Sequence, residues 1–202
     1  MVKKEEMNIM FDFSHYYDWI AEWLPSGCRV AEIGIADGDS VIHLAKRLLQ
    51  HSKTFKIYAV DNMQYGKYIQ MKTIYENLIK HGVAQYVEVI PKDSLEAAKD
   101  FNDGYLDFCF IDSSHEYLQT KKEIPVWYDK VKDLGIISGH DYYLYHNDVG
   151  RAVDELIPGA IVRNDIPGRI FEPEQFLHIT KTQRDYGIWW AQKDFYKKLN
   201  IC

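Results

Sequence analysis

Cysteine is sparse in this chain: Cys28, Cys109 and Cys202 are the three among 202 residues. They stand far apart, are odd in number and form no C-x-x-C pair. That excludes a disulfide framework and a zinc knuckle, and it fits a reducing, cytoplasmic setting. Long apolar runs are missing too. No stretch approaches the roughly 20 residues of a membrane span, and the opening "MVKKEEMNIM" lacks the apolar block of a signal peptide. Nor is positive charge in excess. The formal net charge is −6 and the pI about 5.7, which argues against a nucleic-acid partner, because such a partner requires a basic face. The lysine pairs Lys3-Lys4, Lys121-Lys122 and Lys197-Lys198 read as solvated helix faces. Repeats, linkers and low-complexity segments are absent. With 47% apolar residues, the chain supports one core and a single domain over residues 1–202.

What is present is alternation. "FDFSHYYDWIAEWL" puts Phe13, Tyr16, Tyr17, Ile20 and Leu24 near helical spacing, stopped by Pro25 and Gly27, so residues 1–27 read as an N-terminal helical extension. "RVAEIG", "FKIYAVD", "QYVEVI", "LDFCFID" and "LGIISG" then read as strands. A helical pattern follows each: "SVIHLAKRLLQ", "KYIQMKTIYENLIKH", the short "SLEAAKDF", "YLQTKKEIPVWYDKV" with a bend expected at Pro125, and "VGRAVDEL". The tail behaves differently, with strand-like pieces "AIVRN", "GRIFE", "FLHIT" and "YGIWWAQK" separated by Pro and Gly. Five βα units ahead of a β-rich end imply an α/β fold. The sheet would be doubly wound and mostly parallel, with helices on both faces and a late antiparallel addition.

Open sheets of this kind bind ligands at the carboxyl ends of their strands. The residues there are Glu32, Gly34, Gly38 and Ser40 after the first strand, with Ile35 in the same loop, and Asp61 after the second. Asp93 and Ser94 follow the third, Asp112 ends the fourth, and His140 and Asp141 follow the fifth. The phosphate-binding pattern G-x-G-x-x-G is absent; "GIADG" is G-x-x-x-G, and Asp37 and Asp39 would repel a pyrophosphate. An acidic loop with close backbone approach suits a sulfonium nucleoside, which carries positive charge, a ribose diol and an adenine but no phosphate. Asp61 stands about 20 residues beyond the glycines, where an acid suits a free ribose diol. The bland alternative makes each acid a helix N-cap or first-turn residue.

"AEIGIADGDS", "YAVDNM", "VIPKDS", "CFIDSSHEY", "GIISGHDYY" and "HNDVGRAVDEL" together resemble the class I S-adenosylmethionine-dependent methyltransferases. Within them they resemble the small-molecule and sugar O-methyltransferase branch, distantly similar to catechol O-methyltransferase. The likeness runs from about Val30 to Leu156. It implies a Rossmann-like, seven-stranded sheet whose last strand is antiparallel, with "YGIWWAQK" the candidate for that strand. It also implies S-adenosylmethionine as cofactor. Gly34 and its neighbours would approach the methionine part, Asp61 would hold the ribose diol and Asp93 and Ser94 would flank the adenine, with Asn62 and Asp112 as further cofactor residues. Met63 would pack either on the adenine or in the core.

A hydroxyl acceptor must lose its proton, to a base or with the help of a metal. The resemblance implies two candidate bases. His115 stands where catechol methyltransferase has its catalytic lysine, and His140 is the other candidate. The metal-dependent relatives imply Asp112, His140 and Asp141 as ligands for Mg2+ or Mn2+, although an imidazole departs from magnesium's preference for oxygen. The expected partner is a small hydroxylated acceptor, a sugar or glycan unit among the candidates, and a homo-oligomer stays open. Two other readings compete: an inactive cofactor-binding protein of the same fold, and an NAD-binding oxidoreductase, which the missing glycine pattern disfavours. His43, His51 and His81 lack partners at ligand spacing and read as structural or solvated. Tyr16, Tyr17 and Trp19 would shape the acceptor pocket or simply pack.

Overall fold

A computed structural model describes residues 13–64, 71–143, 148–158, 160–162 and 187–193. Helix α1 (Ser14–Trp23) buries Tyr16, Tyr17, Ile20 and Ala21. Its four-residue rhythm of aromatic and aliphatic side chains makes one wide apolar face, which suits packing on a sheet. There follow β1 (Cys28–Ile33), α2 (Asp39–Gln50), β2 (Phe55–Val60), α3 (Met71–Lys80) and β3 (Val87–Ile90). Next come α4 (Ser94–Ala97), β4 (Leu106–Ile111), α5 (Tyr117–Lys130), β5 (Val131–Gly139), α6 (Asp148–Leu156), β6 (Ile161–Val162) and β7 (Trp189–Gln192). Helix α5 runs through Pro125 without a break.

The sheet order is β3-β2-β1-β4-β5-β7-β6. The first five strands are parallel, and β7 lies antiparallel to both β5 and β6. The expected directions hold, mostly parallel with a late antiparallel strand. One qualification concerns the count: six strands have four residues or more, and the outer position is held by the two-residue β6. Of the predicted tail strands, "GRIFE" and "FLHIT" lie outside the described residues, as do residues 1–12 and 144–147.

Period-two alternation splits the core between the faces. Phe108 and Phe110 of β4 join α1, α2 and α3 in one cluster, while Cys109 and Ile111 join α5 and α6 in the other. Trp189 is fully buried in the second cluster, and Trp190 points the other way onto Trp19, with ring centroids 5.5 Å apart. Cys28 and Cys109 are free and buried. Among the described residues, no helix is long and apolar enough to cross a membrane. Because β1 to β5 share a direction, their carboxyl ends emerge along one rim. The strand order reverses between β1 and β4, and there the crevice opens.

Candidate active site

The seam between β1 and β4 is held by backbone. Asp112 N–H donates to the Ile33 carbonyl at 2.7 Å, and Gly34 N–H donates to Val60 at 2.8 Å. Gly34 has φ of +85°, and a Cβ there would stand 2.6 Å from the carbonyl carbon of Asp112 and run into its oxygen. Conformation and close approach therefore both demand glycine. The loop closes with Gly38 N–H on the Ile35 carbonyl at 2.7 Å, and Gly38, also at φ +85°, starts α2.

Beyond this seam lies a crevice of about 250 Å³. Gly34, Asp61, Asn62, Asp93 and Ser94 all line it. Asp61 does more than face the space: its oxygens accept the Ile35 N–H at 3.0 Å and the Met63 N–H at 2.7 Å, tying the loop after β1 to the loop after β2. Asp93 caps α4, accepting from Leu95 N–H at 2.9 Å, as the bland alternative has it. Ser94 is buried and accepts the Trp127 indole N–H at 2.9 Å.

Several wall residues escaped the sequence reading, Ser113, Gln119 and Glu123 among them. Glu123 is 1% exposed and accepts from the Ser113 hydroxyl at 2.7 Å and the Gln119 amide at 3.1 Å. Burial pushes its carboxyl above the usual range, against the pull of hydrogen bonds from Ser113, Gln119 and Ser94. A signal existed. Thr120, Glu123, Ile124 and Trp127 form the buried stripe of α5, so an acid sits at a core position of the helical period.

Other predicted cofactor residues stand off the crevice wall. Glu32 is buried, its carboxylate bonded to the Tyr17 hydroxyl at 2.9 Å and to the Ser40 hydroxyl, so the two residues join α1 and α2 to β1 inside the molecule. Burial lifts the Glu32 carboxyl to about 8, even though Ser40 and Tyr17 pull it down. Ile35 is buried in the first core cluster, and Met63 packs against that cluster, the core option of the two considered. Tyr16 and Tyr17 are likewise buried there. His43 bonds Asp18 at 2.7 Å and His81 bonds Lys46 at 2.9 Å, both away from the rim.

Asp112, His115, His140 and Asp141 do meet, in a small hollow that shares Ser113 and Ser114 with the crevice. Asp141, at φ +61°, is the hub. One of its oxygens lies 2.8 Å from His115 Nε2 and the other 3.2 Å from His140 Nδ1. Burial opposes ionisation of Asp141, yet the hydrogen bonds and charges of the two imidazoles outweigh it and hold the carboxyl well below the usual range. The Asp141 hydrogen bond raises His115 above the usual imidazole value, against some desolvation. Asp112 is raised, chiefly by loss of hydration and further by the charge of Asp141, against the pull of His140. The two imidazoles differ in access. The His115 side chain is 39% exposed, that of His140 only 8%, with its ring 4.9 Å from Phe13.

The donor set departs from the expected one. The three residues whose ligand atoms all lie within 4.8 Å of one another are Asp112, His115 and Asp141, so His115 takes the place expected of His140. Two carboxylates and one imidazole suit Mn2+ or a transition ion better than Mg2+.

The family model for the methyltransferase domain matches residues 31–142. This chain belongs to the methyltransferase-domain family. The match takes in every predicted site residue of the methyltransferase, from Glu32 to Asp141. No curated protein matches the chain. Among solved structures, it is similar to a precorrin-6y C5,15-methyltransferase from Geobacter metallireducens, at 21% identity and TM-score 0.58 over 80% of this chain and 78% of that one. A Staphylococcus aureus protein, provisionally named as a caffeoyl-CoA O-methyltransferase, aligns at 18% identity and TM-score 0.59, covering 87% and 81%. A geranyl diphosphate C-methyltransferase from Streptomyces coelicolor, solved with Mg2+, geranyl diphosphate and S-adenosyl-L-homocysteine, aligns at 10% identity and TM-score 0.55, covering 89% and 79%. At such identities the methyltransferase shares a fold with these proteins, and their acceptors differ from one another.

Proposed function

We propose that this methyltransferase transfers the methyl group of S-adenosylmethionine to a hydroxyl of a small molecule, with His115 as the base. The observation that carries the reading is the 2.8 Å contact between the half-exposed His115 and the buried Asp141, beside the crevice. Methyl transfer from a sulfonium is an in-line displacement, so the protein must align three atoms and take one proton. Asp141 orients the imidazole and stabilises its charge once the proton arrives, as a buried carboxylate does for a catalytic histidine. Buried His140 serves better to fix Asp141 than to meet an acceptor. A sugar or glycan unit is one acceptor class within this reading, and the free buried cysteines are consistent with a reducing cytoplasm.

A divalent ion fits the same cluster through Asp112, Asp141 and His115, and when bound it would lower the pKa of the acceptor hydroxyl. The test is release of S-adenosylhomocysteine across a panel of catechols, polyols and sugars, with and without chelator. Turnover that survives chelation supports His115 as base; loss restored by Mn2+ makes His115 a ligand instead. Tight cofactor binding with no turnover on any hydroxylated acceptor would leave only the inactive binding protein.

Asp61 supplies a separate check. Asp61→Ala frees the Ile35 and Met63 amides and removes the proposed ribose acceptor, so calorimetry should show S-adenosylmethionine binding weakened more than about tenfold. Unchanged affinity would exclude Asp61 from the ribose site.

A further inference from the structure

Glu123 is a buried member of the crevice wall, and two hydrogen bonds hold its carboxyl group. The Trp127 indole can only donate, and it donates to the Ser94 oxygen. The Ser94 hydroxyl proton is thereby left for another acceptor. The Ser113 hydroxyl donates to one Glu123 oxygen at 2.7 Å, and the Gln119 amide nitrogen donates to the other at 3.1 Å. Two donors, one on each oxygen, match a carboxylate that accepts. The consequence reaches the ligand side. With its proton committed inward, Ser113 offers the crevice lone pairs, while Gln119 gives one of its two amide hydrogens to Glu123. Both residues line the crevice.

We infer that Glu123 is a positioning residue that makes this stretch of wall a hydrogen-bond acceptor, selective for a nucleobase edge that donates, the 6-amino group of adenine, over a 6-oxo purine. The inference rests on the crevice being the S-adenosylmethionine site and adds what selects its base. An oxo group brought against the Ser113 oxygen would meet acceptor on acceptor. Such an unpaired contact is penalised more heavily than a good one is rewarded.

The test compares the dissociation constants of S-adenosylhomocysteine and S-inosylhomocysteine by calorimetry. The wild-type protein should prefer the adenine ligand by about thirtyfold or more. In Glu123→Gln the new amide can donate to Ser113, releasing the hydroxyl proton toward the crevice, and the preference should narrow to about threefold or less. Ser113→Ala should narrow it as well while leaving the buried acid in place, and it carries the test if Glu123→Gln fails to fold. A purely structural Glu123 would weaken both ligands alike and leave their ratio unchanged. An unchanged ratio in these variants, or no preference in the wild type, overturns the inference. Failure of the wild type to bind either ligand overturns the crevice assignment itself, a result distinct from tight binding without discrimination.

Discussion

His115→Ala is expected to slow methyl transfer by about 10²–10⁴-fold while S-adenosylmethionine affinity stays within about twofold of wild type. The expectation follows from where His115 touches the rest of the protein. Its bond is to Asp141 in the hollow, while the crevice is walled by Gly34, Asp61, Asn62 and their neighbours. The pH profile of the best acceptor from the panel gives a second readout. Only the neutral imidazole accepts a proton, and Asp141 raises its pKa above the ordinary 6.5. Wild-type turnover should therefore climb with pH through a midpoint above that value. Asp141→Asn removes the hydrogen-bonded charge, so the midpoint should fall toward lower pH, and the plateau should drop because the imidazole is no longer oriented. A His115→Ala enzyme turning over at the wild-type rate would transfer the base role to His140 or to a bound ion.

Gly34→Ala should damage both the fold and the site. A residue with a Cβ pays for the left-handed φ and also collides with the Asp112 carbonyl, which is itself pinned to β1 by the 2.7 Å bond from its N–H to Ile33. Together these should cost roughly 2–4 kcal/mol and lower Tm by roughly 5–15 °C. Gly27→Ala is the control: Gly27 has φ +83° but nothing within 4 Å of a Cβ, so only the conformational part remains. Relief of the collision displaces the end of β4 from β1, and Asp112 moves with it. Cofactor binding should consequently be lost well below the melting temperature. Equal thermal shifts for the two variants would show that the Asp112 contact yields without cost.

Much of the architecture was legible because β-branched and aromatic runs alternate so regularly with amphipathic helices. "LDFCFID" carries two faces of a buried strand on alternate residues, and both faces are filled as that pattern requires. The rim of strand-end residues was legible for the same reason, since parallel strands must end together. Individual roles were harder to read. Asp93 and Asp61 are both rim acids, yet one caps a helix and the other braces two loops. The difference lies in backbone amides that no residue pattern encodes. Glu32 looked like a crevice acid because it ends a strand, but side chains on that strand alternate, and this one points toward α1 and Ser40. The choice between His115 and His140 depends on Phe13 covering the second ring, a contact between segments more than a hundred residues apart.

The placement of β7 has a bearing on biosynthesis. It comes later in the chain than β6 but occupies the slot between β6 and β5, pairing Ile136 to Gly139 on one side and Ile161 and Val162 on the other. Until Trp189 to Gln192 leave the ribosome, the edge of β5 away from β4 lacks this partner for its backbone N–H and C=O groups, and a half-made polypeptide carries an open, sticky seam. Closure of this side of the sheet thus waits on translation of β7.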